Sequence, residues 1–262
     1  EEPDKNGQNK SSKVNTFTVP LSIVEIEGKT IISTTNIATL SKEKIISKAI
    51  NFHLQGEIIE ASKYYQYCLA KGFNNPQVFN NYGTILKNNG KLKEAELYIR
   101  KAIELKPDFA EAHNNLGNIF KHLDKLREAE LYIRKAIELK PDFAEAHNNL
   151  GTILKDLDKL EEAELSTREA IRLKPDVGEL HNNLGTILRD LDKLEEAELS
   201  TRRAIELKPN LVEAHSNLGS ILRELGNNKD SKLCSDKALE IRPWSIKAFY
   251  GLNYIDDIES NS

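Results

Sequence analysis

Apolar residues recur along this chain at spacings of three and four, the period of a helix with one buried face. Between Ala110 and Pro141 there are two such stripes. Ala112, Leu116, Ile119 and Leu123 form the first; Leu126, Ala129, Ile133, Ala136 and Ile137 form the second. Polar positions fill the gaps, and the pattern then starts again. KLREAELYIRKAIELKPDFAEAHNNLG from Lys125 repeats KLKEAELYIRKAIELKPDFAEAHNNLG from Lys91 with a single change, Lys93 to Arg127. A second pair of near-copies starts at His147 and His181, 34 residues apart. Self-similarity at this interval predicts a helical solenoid, in which each unit touches only its neighbours.

With Ala110 as position one, the units run 42–75, 76–109, 110–143, 144–177, 178–211 and 212–245, followed by a half-unit from Ile246 and a tail to residue 262. Ser41 is placed to cap the first helix. Asp158 with Glu161, and Asp192 with Glu195, are spaced as capping boxes for second helices. Units end near Pro107, Pro141, Pro175, Pro209 and Pro243, where a helix cannot continue. Each unit therefore reads as helix, tight turn, helix, break.

The leader, residues 1–41, is different. Its first 13 residues are polar and charged, which predicts disorder. TFTVPLSIVEIEG and KTIISTT are β-branched and flank a turn at Glu27-Gly28-Lys29, so residues 14–35 are either a docked β-prone arm or a loose tail. At the other end, IKAFYGLNYIDDI reads as a first helix without its partner. Trp244 and Phe249 are suited to cover the end of the stack, and Asn253 stands where a packed second helix would need glycine.

Small residues recur together where paired helices must approach: Gly83, Gly117, Gly151, Gly185 and Gly219, then Ala95, Ala129, Ala163 and Ala197, and Ala102, Ala136, Ala170, Ala204 and Ala238. With the Leu-Gly pair and the closing proline, this resembles the tetratricopeptide repeat over about four-fifths of the chain. The resemblance implies an all-α, right-handed superhelix whose first helices line a concave groove. The HNNLG and LKPDF phrasing is similar to the repeat region of O-linked N-acetylglucosamine transferases, where an asparagine ladder holds substrate polypeptide.

The expected site follows from the polar face of the first helices. The asparagine row Asn81, Asn115, Asn149, Asn183 and Asn217 offers donors and acceptors suited to an extended peptide. Asn114, Asn118, Asn148, Thr152, Asn182 and Thr186 stand beside it, with Lys121, Lys155 and Arg189 further along. Duplication alone also repeats residues, and charges near helix ends complement the dipole, so the rows have a purely structural reading as well. Some family members grip a terminal carboxylate with lysines and arginine. Here Glu111, Glu145 and Glu179 occupy those positions, which argues against that mode.

Thr167, Thr201 and Ser235 replace Ile99 and Ile133; their hydroxyls are expected to bond back one turn and to loosen the later units. His113, His147, His181 and His215 are in register, but stacked helices stand about 8–10 Å apart, too far to share one ion at about 2 Å. They read as packing imidazoles rather than metal ligands. The formal charge of −4 over 262 residues gives no reason to expect nucleic acid or membrane binding. No apolar run has membrane-spanning length. Cys68 and Cys234 are far apart and expected to be buried or half-buried thiols.

No phosphate loop, nucleophile–base motif or cofactor motif is present. The chain therefore reads as a non-enzymatic, cytoplasmic scaffold that binds a peptide or partner protein without cofactor. The alternative is the recognition segment of a larger transferase, and self-association through the end faces is a third arrangement.

Overall fold

A computed structural model describes residues 40–242. The leader's expected arm and the half-unit containing Trp244, Phe249 and Asn253 lie outside these residues. The described residues form helices with no strand among them. They pair as α1 (Lys42–Leu54) with α2 (Ile58–Ala70), α3 (Pro76–Asn88) with α4 (Leu92–Leu105), and α5 (Ala110–His122) with α6 (Leu126–Leu139). Then come α7 (Ala144–Asp156) with α8 (Leu160–Leu173), α9 (Gly178–Asp190) with α10 (Leu194–Leu207), and α11 (Val212–Glu224) with α12 (Asn228–Ile241). Each second helix also packs on the next first helix. From α3 onward, successive first helices touch one another as well, which draws them to the inner side of the curve.

The turns inside the pairs correct one expectation. Asp158 and Asp192 do not cap second helices; the N-cap residues there are Lys159 and Lys193, and neither makes a side-chain cap bond. Asp124, Asp158 and Asp192 instead adopt φ of 57°, 60° and 59°, the left-handed conformation that closes the preceding helix. Asp158 N–H donates to the Lys155 carbonyl at 3.0 Å and Lys159 N–H to that of Leu154 at 2.8 Å, which satisfies two terminal acceptors. Gly90 and Gly226 do the same at φ 76° and 81°. Aspartate tolerates this region better than most residues, so the carboxylate marks where a helix stops rather than where the next begins.

Among the described helices, side-chain caps occur in the first, second and last units. Ser41 caps α1, Asn75 caps α3 with Pro76 following, and Asn227 accepts from Asp230 N–H at 3.2 Å at the start of α12.

Packing within a pair depends on glycine. A Cβ built on Gly117 would lie 2.6 Å from Ile133 Cγ1 and 3.1 Å from the Ala129 carbonyl oxygen. The small side chains of Ala129 and Ala136, both fully buried, complete this close approach. The four histidines each place Nε2 within 2.8–2.9 Å of a proline carbonyl: His113 on Pro107, His147 on Pro141, His181 on Pro175 and His215 on Pro209. A carbonyl only accepts, so Nε2 carries the hydrogen in each of these bonds. Cys68 is buried and Cys234 half-buried; burial pushes the Cys68 thiol up to about 11, too high for a ready nucleophile.

The core is uneven along the stack. One apolar cluster extends from Ile45 through Ala163 to Ile187, whereas the later units hold smaller, separate clusters. Ile99 and Ile133 are fully buried, and Thr167 and Thr201 take their place further on. Thr201 Oγ1 donates to the Ala197 carbonyl at 2.8 Å, the expected back-bond. Thr167 Oγ1 makes none and is buried without a partner. Restoring isoleucine at Thr167 removes that unpaired hydroxyl and adds apolar volume beside Gly151. Thr167→Ile is therefore expected to stabilise the protein by about 1–2 kcal/mol. A urea midpoint that stays the same or falls would contradict this.

Candidate functional site

The expected binding face is the polar side of α3, α5, α7, α9 and α11. It does not present its amides as a free row. Asn149 Nδ2 donates to Asn114 Oδ1 in the preceding first helix at 2.9 Å, Asn183 Nδ2 to Asn148 Oδ1 at 2.9 Å, and Asn217 Nδ2 to Asn182 Oδ1 at 2.8 Å. Asn115 Nδ2 reaches both Asn80 Oδ1 at 2.9 Å and Thr84 Oγ1 at 3.2 Å. At the first junction Tyr65 OH accepts from Asn81 Nδ2 at 3.0 Å. The paired HNN asparagines thus join consecutive units, one donating backward and the other accepting from the unit ahead.

This follows from burial. Asn114 is 1% exposed, Asn182 7% and Asn217 5%, and buried amides without partners would cost about 1–3 kcal/mol each. Asn115, Asn149 and Asn183 are half-buried, and one bond leaves part of an amide's capacity unused. Asn118, also half-buried, forms no side-chain bond to the described residues. Thr152 and Thr186 donate to the carbonyls of Asn149 and Asn183 at 2.9 and 2.8 Å.

The expected cations are engaged between units. Lys121 donates to Thr152 Oγ1 at 2.8 Å and lies 3.4 Å from Asp156; Lys155 lies 3.6 Å from Asp190. Arg189 pairs with Asp190 at 3.2 Å and approaches Glu224 at 4.0 Å. The inner face is therefore near neutral, with each cation answered by the next unit's acid.

On the opposite side, second helices are linked through long side chains. Glu130 of α6 accepts from Arg134 and from Lys159 at the start of α8, both at 2.9 Å, and Arg134 reaches Glu162 at 2.7 Å. Glu164, Arg168, Lys193 and Glu196 repeat the arrangement one unit later. Burial by itself raises the Glu130 and Glu164 carboxyls, but the hydrogen bonds from lysine and arginine outweigh it and hold both below the ordinary 4.5.

Sequence reasoning read the asparagines as a ligand-facing polar row and missed both their partners and the burial of Asn114, Asn182 and Asn217. The signal was the doubling itself: two adjacent asparagines per unit allow one to accept what the next unit's second asparagine donates. A second missed feature is the change from LYIR at Leu97 and Leu131 to LSTR at Leu165 and Leu199, which removes a tyrosine from the opposite side of the stack.

The fold and this repeated internal face define a helical-repeat protein that presents extended surfaces. Models of the tetratricopeptide repeat match residues 76–109, 110–143, 132–164, 178–211 and 212–243, and the chain belongs to that family. No curated protein matches the chain.

Among similar solved structures is YrrB, described as a tetratricopeptide repeat protein with an unusual peptide-binding site. It is 23% identical, with a TM-score of 0.57, covering 72% of this chain and 98% of that one. Pseudomonas aeruginosa pilF is 13% identical, with a TM-score of 0.68 and coverage of 84% and 97%. A chain of the APC/C assembly Cut9-Hcn1 is 17% identical at a TM-score of 0.76; the match covers 86% of this chain and 45% of that one.

These likenesses bear on fold; family and fold together support a protein-interaction scaffold. Among the described residues, no group of three or more His, Cys, Asp or Glu side chains could hold a metal ion, and no helix is long and apolar enough to cross a membrane.

Two outcomes are expected. Asn149→Asp keeps the size of the side chain but sets an acceptor against Asn114 Oδ1, so it should destabilise the protein by about 1–3 kcal/mol; an unchanged melting temperature would show the junction bond to be dispensable. The second concerns acid. Because the Glu130 and Glu164 carboxyls are held below their unfolded value, their stabilisation is present above about 4.5 and is lost as pH falls through the folded values. Melting temperature should drop over that range, and a flat profile would contradict the assignment.

Proposed function

We propose that the chain is a scaffold that holds an extended polypeptide along the inner face of its six repeat units. The observation that carries this reading is the half-buried row of Asn115, Asn149 and Asn183. Asn149 and Asn183 are each held by one bond to the preceding unit and Asn115 by two, while none of their Oδ1 atoms bonds to a described residue. A side chain already fixed in this way loses little freedom when a ligand arrives. The row would then present one oriented acceptor per repeat, matched to the N–H groups of an extended backbone, with Asn118 supplying an uncommitted amide between them. Asn81, whose Oδ1 accepts from Asn80 Nδ2 at 3.2 Å, and the buried Asn217 stand at either end of the row.

Magnitude limits what the row does alone. Three neutral hydrogen bonds at about 1 kcal/mol each fall well short of micromolar binding. Sequence selectivity would come from the flanking groups, Asn114, Asn148, Thr152, Asn182 and Thr186, with Lys121, Lys155 and Arg189 and their acidic neighbours.

The test is selection of binders from a random peptide library on the immobilised protein. Selected peptides should lose affinity at least about tenfold when Asn118→Arg and Thr186→Arg obstruct the inner face, with circular dichroism unchanged. Undiminished affinity in that variant, or no selectable peptide, would defeat the assignment.

A further inference from the structure

The second helices carry a different surface. At one position of the unit the early repeats have Tyr64, Tyr98 and Tyr132, and the later ones have Ser166, Ser200 and Cys234. Each tyrosine packs on an aromatic side chain of the first helix of its own unit, and Tyr132 also reaches Arg100 of the preceding second helix. Tyr132 stacks on His113 at 6.0 Å and Phe120 at 5.4 Å between ring centres, and its hydroxyl accepts from Arg100 Nη1 at 3.2 Å. Tyr98 packs on Tyr82 at 5.0 Å, and Tyr64 on Phe52 at 5.3 Å.

Where the tyrosine is missing, the arginine and the histidine around it are kept, Phe120 is replaced by Leu154, Leu188 and Leu222, and Arg134 and Arg168 are also paired with Glu162 and Glu196. Three open cavities of about 520–550 Å³ occur, one at each of Ser166, Ser200 and Cys234. That size is in the range of sites that take a ligand group. The first is lined by Arg134 and His147, the second by Arg168 and His181, the third by Arg202 and His215. These are the positions of Arg100 and His113 one, two and three repeats on.

Ser166 and Ser200 turn their hydroxyls to the carbonyls of His147 and His181 at 2.9 Å, away from the space the ring would take. His215 is 8% exposed; with Nε2 on Pro209, its Nδ1 bonds to none of the described residues. At the cavity mouths stand Leu165, Leu199 and Leu233, 67–70% exposed, as is Leu131 at 67% in a unit that keeps its tyrosine.

From this internal template we infer that the three cavities receive tyrosine side chains of a partner polypeptide lying across the outer face. Each ring takes the place in the later units that the chain's own tyrosine fills in the earlier ones. The imidazole supplies the stacking surface, the guanidinium donates to the phenol oxygen as Arg100 does to Tyr132, and the exposed leucines cover the segments between rings. A polypeptide rather than a free phenol is favoured because the cavities are open and repeat in register. One ring in such a site is held weakly, whereas three linked rings gain from effective concentration. This surface is separate from the inner face and stands or falls without it.

The probes are p-cresol, with toluene as the control lacking a hydroxyl, and a panel of synthetic peptides with three tyrosines at graded spacings. Leucine methyl NMR should show p-cresol saturating the wild-type protein in the millimolar range and more tightly than toluene. In S166Y/S200Y/C234Y, p-cresol affinity should fall at least about tenfold and melting temperature should rise, because the added rings fill the moulds. Should that variant fold poorly, S166Y and S200Y tested singly must each remove one site's shifts.

At least one peptide should bind about tenfold more tightly than p-cresol, and Asn118→Arg with Thr186→Arg should leave this binding unchanged. The proposal is overturned if p-cresol does not saturate the wild type, if a folded filled variant binds it undiminished, or if no peptide exceeds p-cresol. Sedimentation showing the cavities occupied by a second copy of the chain would also overturn it.

Discussion

The structure depends on how closely two helices approach within a unit. Gly117 has Ile133 where its Cβ would be, and Gly151 has Thr167 Oγ1 only 2.1 Å from the same point. At that separation the buried alanines of the second helix pack almost against backbone, and an elongated molecule with little core per unit still excludes water. The left-handed aspartates make this geometry possible, since a turn closed by two backbone bonds returns the chain without extra residues.

Stacking one unit on the next uses different interactions on the two sides. Inner helices touch and are joined by amide pairs such as Asn149 with Asn114. Outer helices stand further apart and are bridged by long ion pairs such as Lys159 with Glu130. Buried amide bonds between short side chains fix geometry more strictly than ion pairs between long, half-exposed ones. The inner face is therefore the rigid side of the stack, and the outer face is where space opens between helices.

That asymmetry divides the molecule along its length as well. In the early units tyrosines fill the outer gaps and isoleucines fill the centres of the pairs. In the later units small hydroxyl residues and Cys234 stand in both positions, the apolar cluster breaks up, and cavities appear. Two coupled truncations at adjacent residues thus convert a packed surface into a concave one while leaving the helices and junctions in place.

The repeat interval, the helix pairs and the glycine and alanine contacts were legible in the sequence, because each is local or recurs at a fixed spacing and any departure would break every unit at once. The recurrence of the asparagines was legible for the same reason, though not that Asn114, Asn182 and Asn217 are buried. What the sequence does not contain is distance across a junction: whether Asn149 meets a guest or Asn114 depends on how far apart successive first helices settle. The carboxylates at Asp158 and Asp192 misled similarly, since the spacing of a capping box is compatible with two backbone conformations and only the closing of the preceding helix selects φ near 60°. The gaps beside Ser166 and Ser200 were likewise decided by tertiary structure, because a missing side chain becomes a cavity only when neighbouring helices hold their positions around it.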